Sequence, residues 1–108
     1  MKQPTKGSGS FNMYMKQYDT DGQLIVAVCD KEIIGKKFQE GELKLKLEPS
    51  FYKGADASES EVKEALSCAT IANISGEKAI ACAVECGCVD PDTVIFIEGI
   101  PHAQMVRI

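Results

Sequence analysis

The side chains best suited to chemistry gather in two stretches of the chain, residues 70–76 and 99–104. His102 is the single histidine, and because its ordinary pKa lies near neutral pH it could act as a general acid or base, or donate a hydrogen bond to a ligand. The preceding Pro101 restricts the backbone and could fix the direction of the ring. A histidine that is only hydrogen-bonded to nearby backbone is the alternative interpretation.

The first stretch carries uncharged hydrogen-bonding groups at a predicted junction of two helices. Ser75, with the unpaired N–H groups of the next helical turn, could hold an anion. Such residues also serve simply to cap and join helices. The two stretches meet if the last strand lies beside this junction. The candidate ligand- or partner-binding residues are therefore Asn73, Ser75, Gly76, Pro101, His102 and Gln104.

The five cysteines do not predict a disulfide framework, because their number is odd and the sequence shows no secretion signal. Cys29 and Cys68 lie in apolar runs, which is typical of small buried side chains. Cys82, Cys86 and Cys88 form the one cluster for which metal or redox chemistry could be proposed. Zinc needs about four ligands and no C-x-x-C is present, so we favour packing and predict no metal and no cofactor.

Positive charge is concentrated in one segment of an acidic chain. The net charge is −4, which argues against DNA or bare RNA as the ligand. Residues 31–53 nonetheless carry six lysines against four glutamates, whereas residues 54–98 carry two lysines against nine acids. This segment could face a protein or ribonucleoprotein partner, although solvated lysines need no partner. The candidate basic patch is Lys36, Lys37, Lys44 and Lys46.

Strand patterns occupy the first half of the chain. Residues 13–18 and the apolar run 24–29 flank the sequence Asp-Thr-Asp-Gly, which predicts a hairpin. Asp30 is predicted to cap a short turn that follows. Residues 43–47 alternate leucine and lysine, which predicts a strand with three leucines facing the core. Residues 1–12 have the composition of a disordered tail, or precede an alternative start at Met13 or Met15, which leaves 13–108 as a single domain.

Two helices are predicted in the second half. Residues 58–61 match a capping box, and apolar residues recur at helical spacing as far as Asn73, so the first helix should end near Ser75 and Gly76. Ser75 should cap a second helix that Gly87 ends. Strands at 93–97 and 102–108 follow.

This order of elements predicts an α+β fold with two layers, in which two helices pack on a mostly antiparallel or mixed sheet of about five strands. No apolar run approaches the roughly 18 residues that a membrane span needs. We therefore expect no membrane association and a cytoplasmic location.

Two strings in the sequence resemble a known family. They are ATIANISGEKA at 69–79 and GIPHAQ at 99–104, and MYMK at 13–16 and GKKF at 35–38 fit it as well. The family is a group of small archaeal proteins called domain of unknown function 424, and the resemblance extends over 13–108. It implies an archaeal cytosolic protein and no activity, because the family is uncharacterised. The cysteine cluster lies outside the family's pattern.

Two hypotheses for function follow. The leading one is a small non-enzymatic binding or interaction module, with a link to translation or RNA metabolism as its more specific form. The alternative is a small enzyme in which His102 is the acid or base, or binds the ligand, and Asn73 or Gln104 orients the substrate. Geometry discriminates between them, since the enzyme requires His102 to line a concave pocket with at least two other polar side chains.

Overall fold

A computed structural model describes residues 11–107 of the chain. The predicted tail, residues 1–12, lies almost wholly outside the described residues. The helices and strands are β1 (Met13–Thr20), β2 (Gln23–Asp30), β3 (Lys37–Glu40), β4 (Leu43–Lys46), α1 (Pro49–Tyr52), β5 (Ala55–Ala57), α2 (Glu59–Cys68), β6 (Ile71–Ser75), α3 (Glu77–Glu85), β7 (Ile95–Ile97) and β8 (Ile100–Val106), with 3-10 turns at Lys31–Ile33 and Pro91–Thr93.

A mixed sheet of six strands organises the described residues, in the order β5-β1-β2-β6-β8-β7. Its neighbours are antiparallel except β2 and β6, which are parallel. Strands β3 and β4 form a separate two-stranded ribbon. The predicted α+β fold with helices on a mixed sheet is therefore confirmed. The separate ribbon, two strands of the main sheet (β5 and β6) and the short α1 are additions to it.

The central strand β2 is buried on both faces, as its uninterrupted apolar run predicts. Successive residues of a strand point to opposite faces, so Val26 and Val28 pack on the side of α2 and α3. Ala27 and Cys29 pack on the other side, which the ribbon and α1 cover with Leu45, Leu47 and Tyr52.

The sequence prediction is wrong for residues 71–75, which form strand β6 and not the end of a helix. The helix α2 begins with the predicted capping box, in which both hydrogen bonds are present, but it ends at Cys68. The apolar residues of α2 keep a helical spacing as far as Ala72. Residues 71–75 nevertheless form a strand, because they pair with β2 on one edge and β8 on the other. Ala72 and Ile74 then face the helices, and Asn73 and Ser75 face the opposite side.

The prediction for the leucine and lysine alternation is only partly right. Residues 43–46 do form a strand, but it pairs with β3, which we did not predict, and not with the main sheet. Leu45 and Leu47 are buried, while Leu43 is exposed at the tip of the ribbon. The last strand begins at Ile100, ahead of the predicted start at His102.

Asp30 joins the end of β2 to the beginning of α3. Because β2 and β6 are parallel, they end at the same edge of the sheet, where α3 begins after Gly76. The carboxylate of Asp30 accepts hydrogen bonds from the N–H groups of Ala79 at 2.9 Å and Lys78 at 3.0 Å. The predicted caps are therefore wrong, since Asp30 makes no side-chain bond to the 31–33 turn and Gly76, not Ser75, occupies the N-cap of α3.

The position beside this carboxylate requires glycine. Gly76 has a φ of 106°, and a Cβ there would lie 2.4 Å from Cγ of Asp30. The Asp30 side chain is almost wholly buried, and burial raises the pKa of its carboxyl group, which the two N–H donors partly offset. The N–H groups at the start of α3 thus compensate the burial of this carboxylate.

We predict that Asp30→Asn lowers the free energy of unfolding by about 1–3 kcal/mol, because an amide has one acceptor oxygen and sets its NH₂ group against the second backbone N–H. Urea denaturation measures the change. Glu32→Gln is the matched control, since this exposed carboxylate forms an ion pair with Lys78 Nζ and should matter by about 0.5 kcal/mol or less. Equal losses in the two variants would contradict the assignment of Asp30 as the cap.

Candidate functional site

Strands β6 and β8 bring the two sequence-predicted stretches together. They run side by side and antiparallel, with Asn73 opposite Gln104 and Ser75 opposite His102. These four side chains share the sheet face opposite the helix layer. The predicted proximity therefore exists, but strand pairing creates it and not a helix junction.

A chain of hydrogen bonds holds the ring of His102. Ser75 Oγ lies 2.7 Å from His102 Nδ1, and Ser75 is fully buried. Burial raises the pKa of the Tyr52 hydroxyl, while a side-chain hydrogen bond with Ser75 lowers it. Since Nδ1 is engaged, Nε2 is the ring nitrogen left for a ligand. Burial also lowers the pKa of His102, so the imidazole is neutral at pH 7.

A second bond holds the neighbouring pair on the same face. The amide of Gln104 donates from Nε2 to Oδ1 of Asn73 at 3.0 Å. The Asn73 side chain is half-buried and that of Gln104 is exposed. Gln104 is therefore oriented by Asn73 in the way that His102 is oriented by Ser75.

The other two candidates lie at the end of the strands and do not present side chains to a ligand. The N–H group of Gly76 donates to the carbonyl of Pro101 at 2.9 Å. Gly76 also packs against Asp30, and Pro101 is buried. Both residues fasten β6 to β8, and we assign them no contact with a ligand.

A groove of about 380 Å³ opens between the ribbon and the β7–β8 hairpin, and we call it the His102 groove. It is concave and contains several polar side chains besides His102. None of the described residues that line it is a carboxylate. Its lining consists of Lys44, Thr93, Ile95, His102, Ala103 and Gln104.

Lys44 also lines a second groove of about 430 Å³ on the ribbon. Lys37 and Lys46 are directly opposite each other in the ribbon, and both line this groove. Lys36 lines neither groove, so the structure brings together three of the four lysines of the predicted patch. Lys46 lies 3.0 Å from Glu48, an exposed ion pair. The full lining is Lys37, Phe38, Gln39, Lys44, Leu45, Lys46 and Glu98.

Reciprocal bonds fasten the ribbon to the β7–β8 turn. The N–H group of Gln39 donates to the carboxylate of Glu98 at 2.7 Å, and the N–H group of Glu98 donates to the carboxylate of Glu40 at 2.7 Å. Glu98 and Gly99 both have positive φ, as a tight two-residue hairpin turn requires. This attachment places Lys44 near His102, and it involves Glu98, a residue that the sequence analysis did not single out.

Thr93 and Ile95 are also groove residues that the sequence analysis missed. Thr93 ends the 3-10 turn, and its hydroxyl donates to the carbonyl of Asp90 at 2.8 Å. Nothing in the sequence analysis indicated that this turn would border a groove. Only the pairing of β7 with β8, with Ile95 opposite His102, brings these residues to the site.

The cysteine cluster is divided between the core and the end of α3. Cys82 and Cys88 are buried in the core on the helix side, while Cys86 Sγ donates to the carbonyl of Ala83 at 3.6 Å. Between residues 11 and 107, no three His, Cys, Asp or Glu side chains are placed to hold a metal ion. Burial raises the pKa of the Cys82 thiol to about 11 and that of Cys29 to about 12.

Comparisons with known proteins give a family and a fold. The model of the family described as "Protein of unknown function (DUF424)" matches residues 18–108. A solved structure, described as an uncharacterized conserved protein from Methanopyrus kandleri, is similar with a TM-score of 0.71 and 22% identity, over 86% of this chain and 89% of that one. No curated protein matches. In the described part of the chain, no helix has the length and apolar character needed to cross a membrane.

We predict that the thiols react at very different rates in the folded protein. Cys68 is exposed, so the sequence prediction that it is buried is wrong, and it should react first with a disulfide reagent such as DTNB. Cys29, Cys82 and Cys88 are buried with raised pKa values and should react slowly. Cys68→Ser should remove the fastest phase. Retention of that phase in the variant would contradict the assignment.

His102 should make stability depend on pH. Because the fold lowers its pKa, its contribution is complete above the ordinary value of 6.5 and is lost as pH falls through the lowered value. We expect the free energy of unfolding of wild type to drop more than that of His102→Gln between neutral pH and about pH 5. Urea denaturation at each pH tests this, and the same slope in both proteins would refute it.

Proposed function

The chain belongs to the DUF424 family, whose description assigns no activity, and we propose that it is a non-enzymatic binding module. Its His102 groove holds an anionic group of the ligand or partner. One observation carries the proposal: Lys44, His102 and Gln104 bring N–H donors to a groove whose described lining contains no carboxylate. Donors of this kind bind carboxylate and phosphate oxygens.

The second argument is that the donors are held in place before a ligand arrives. Ser75 fixes the imidazole and Asn73 fixes the Gln104 amide. Neither side chain then loses much rotamer freedom on binding, which removes part of the entropic cost of association. Lys44 is exposed, and it adds positive charge to the two neutral donors.

Lys37 and Lys46 extend positive charge from the His102 groove along the ribbon, which suits a partner larger than a single anion. A protein or ribonucleoprotein partner fits better than bare RNA, because Glu98 lines the same ribbon groove and the net charge is −4. A role in translation or RNA metabolism is the more specific form of this proposal. The archaeal origin and the cytoplasmic location also stay predictions, and the free thiols of the described residues fit a reducing compartment.

A small enzyme is the second candidate, because the geometric condition set for it is present. His102 lines a concave groove together with Lys44, Thr93 and Gln104. In the tautomer that carries its proton on Nδ1, the neutral imidazole could accept a proton at Nε2, whereas donation to an anion requires the proton on Nε2. Ser75 is fully buried and is therefore not a nucleophile, despite its bond to the histidine. Incubation with a metabolite mixture followed by mass spectrometry tests this candidate. An enzyme should consume at least one compound, and the His102→Gln variant should leave that compound unchanged.

We predict that phosphate and acetate bind in the His102 groove. Titration of isotopically labelled protein, followed by NMR, should shift the resonances of His102, Gln104 and Thr93. Lys44→Gln should weaken binding by about fivefold, the value of an exposed ion pair near 1 kcal/mol. Lys36→Gln is the matched control and should change nothing, because Lys36 lines neither groove. Unchanged groove resonances at high millimolar anion would end the proposal.

The same titration with a single-stranded RNA oligonucleotide tests the more specific proposal, a role in translation or RNA metabolism. Substituting Lys37, Lys44 and Lys46 together by glutamine should weaken any RNA association and reduce its salt dependence. An unchanged RNA affinity and salt slope would remove the ribbon as an RNA-binding surface. It would leave the anion groove to a protein partner.

A further inference from the structure

The β7 strand forms one edge of the main sheet, and its backbone is incompletely paired. The two-residue turn at Glu98 and Gly99 makes Ile97 and Ile100 the hydrogen-bonded closing pair. In an antiparallel pair, bonded and non-bonded positions alternate. Phe96 therefore points its N–H and C=O groups away from β8, which agrees with its partner being Pro101, a residue without an N–H group.

All three side chains of β7 are apolar, and two of them are exposed while Ile97 is buried. Phe96 is 59% exposed and Ile95 is 42% exposed. Exposed apolar residues on an edge strand with unpaired backbone groups form a template for another strand. No residue between 11 and 107 is hydrogen-bonded to the N–H or C=O of Phe96 across this edge.

The opposite edge, β5, does not share these properties. It consists of Ala55, Asp56 and Ala57, and Asp56 forms an ion pair with Lys31 at 3.1 Å. Small and charged residues discourage the addition of a strand. The contrast singles out β7 as the edge suited to a partner.

Charge decides what kind of strand this edge accepts. Ile95 lines the His102 groove together with Lys44, so a strand laid along β7 comes close to this ammonium group. A second copy of the chain would bring its own ribbon lysines to the same place, and like charges would repel. A strand with acidic side chains is complementary to the groove, whose described lining has donors and no carboxylate.

We propose that an extended peptide segment with alternating acidic and apolar residues adds as a strand to the outer edge of β7. Its backbone pairs with the N–H and C=O groups of Phe96. The peptide residues before and after the one opposite Phe96 point to the same sheet face as Ile95. A carboxylate at one of these positions reaches the His102 groove. This inference rests on the proposed function, because the carboxylate is the anionic group that the groove binds.

A short peptide of alternating glutamate and valine, acetylated and amidated at its ends, is the probe. Full-length protein is titrated with it and followed by NMR and amide hydrogen exchange. We expect the peptide to shift groove resonances and to slow exchange of the Phe96 amide. A peptide with glutamine in place of glutamate should bind more weakly, and one with N-methylated backbone amides should not bind.

Two variants at one position isolate the backbone contribution. Phe96→Ala removes the ring and keeps the N–H group, whereas Phe96→Pro removes both, at an edge position where proline leaves the pairing with β8 intact. The proline variant should bind the peptide about fivefold more weakly than the alanine variant, as expected for one net hydrogen bond near 1 kcal/mol. If the proline variant does not fold, protection of the Phe96 amide by the peptide in the wild-type protein still tests the inference.

The other outcomes overturn the inference in distinguishable ways. Groove shifts without protection of the Phe96 amide, with equal affinities for the two variants, mean that the groove binds the carboxylate alone and no strand forms. Protection of this amide through self-association without peptide identifies a second copy as the occupant. Failure of both peptide and phosphate to perturb the groove removes the proposed function as well.

Discussion

A buried carboxylate beneath a helix N-terminus is the constraint on which the rest of the structure depends. Asp30 ends β2 and accepts the first N–H groups of α3, and it leaves no room for a side chain at Gly76. The parallel pairing of β2 with β6 is what places these groups at the same edge. It also sets the face on which Ser75, the last residue of β6, meets His102. Ser75 directly precedes Gly76, so the start of α3 is covalently joined to the residue that holds His102 on the other face of the sheet.

The sheet divides the molecule into two chemically different sides. The helix side carries a core rich in alanine and cysteine, and the two grooves around α2 and α3 have five glutamates and one lysine in their lining. The other side carries the ribbon, whose outer face presents Lys37, Lys44 and Lys46. The local charge imbalance in the sequence thus becomes a separation between surfaces. The ribbon side combines positive charge with polar groups held in fixed directions, which is why the proposed binding site lies there.

Local signals predicted the parts of the fold that depend on neighbours in sequence: the β1–β2 hairpin, the capping box of α2 and the glycine that ends α3. They failed where pairing with strands distant in the sequence determines the secondary structure. Residues 71–75 have a helical spacing, and only two flanking strands make them a strand. Strand β3 contains Phe38 as its single apolar residue, so no alternation marks it. For the site, Asn73, Ser75, His102 and Gln104 were predictable as a group, whereas the position of Lys44 depends on backbone bonds to Glu98 and Glu40 that no sequence pattern indicates.

The parallel neighbours β2 and β6 also have a consequence for how fast the chain folds. Their first paired residues, Ile25 and Ile71, are separated by the ribbon, β5 and α2. Closing so long a loop costs entropy before any pairing repays it, and such non-local contacts slow folding. The β1–β2 hairpin needs no such closure and can form early. We therefore expect the joining of β2 to β6, and with it the assembly of the His102 groove, to belong to the slow part of folding.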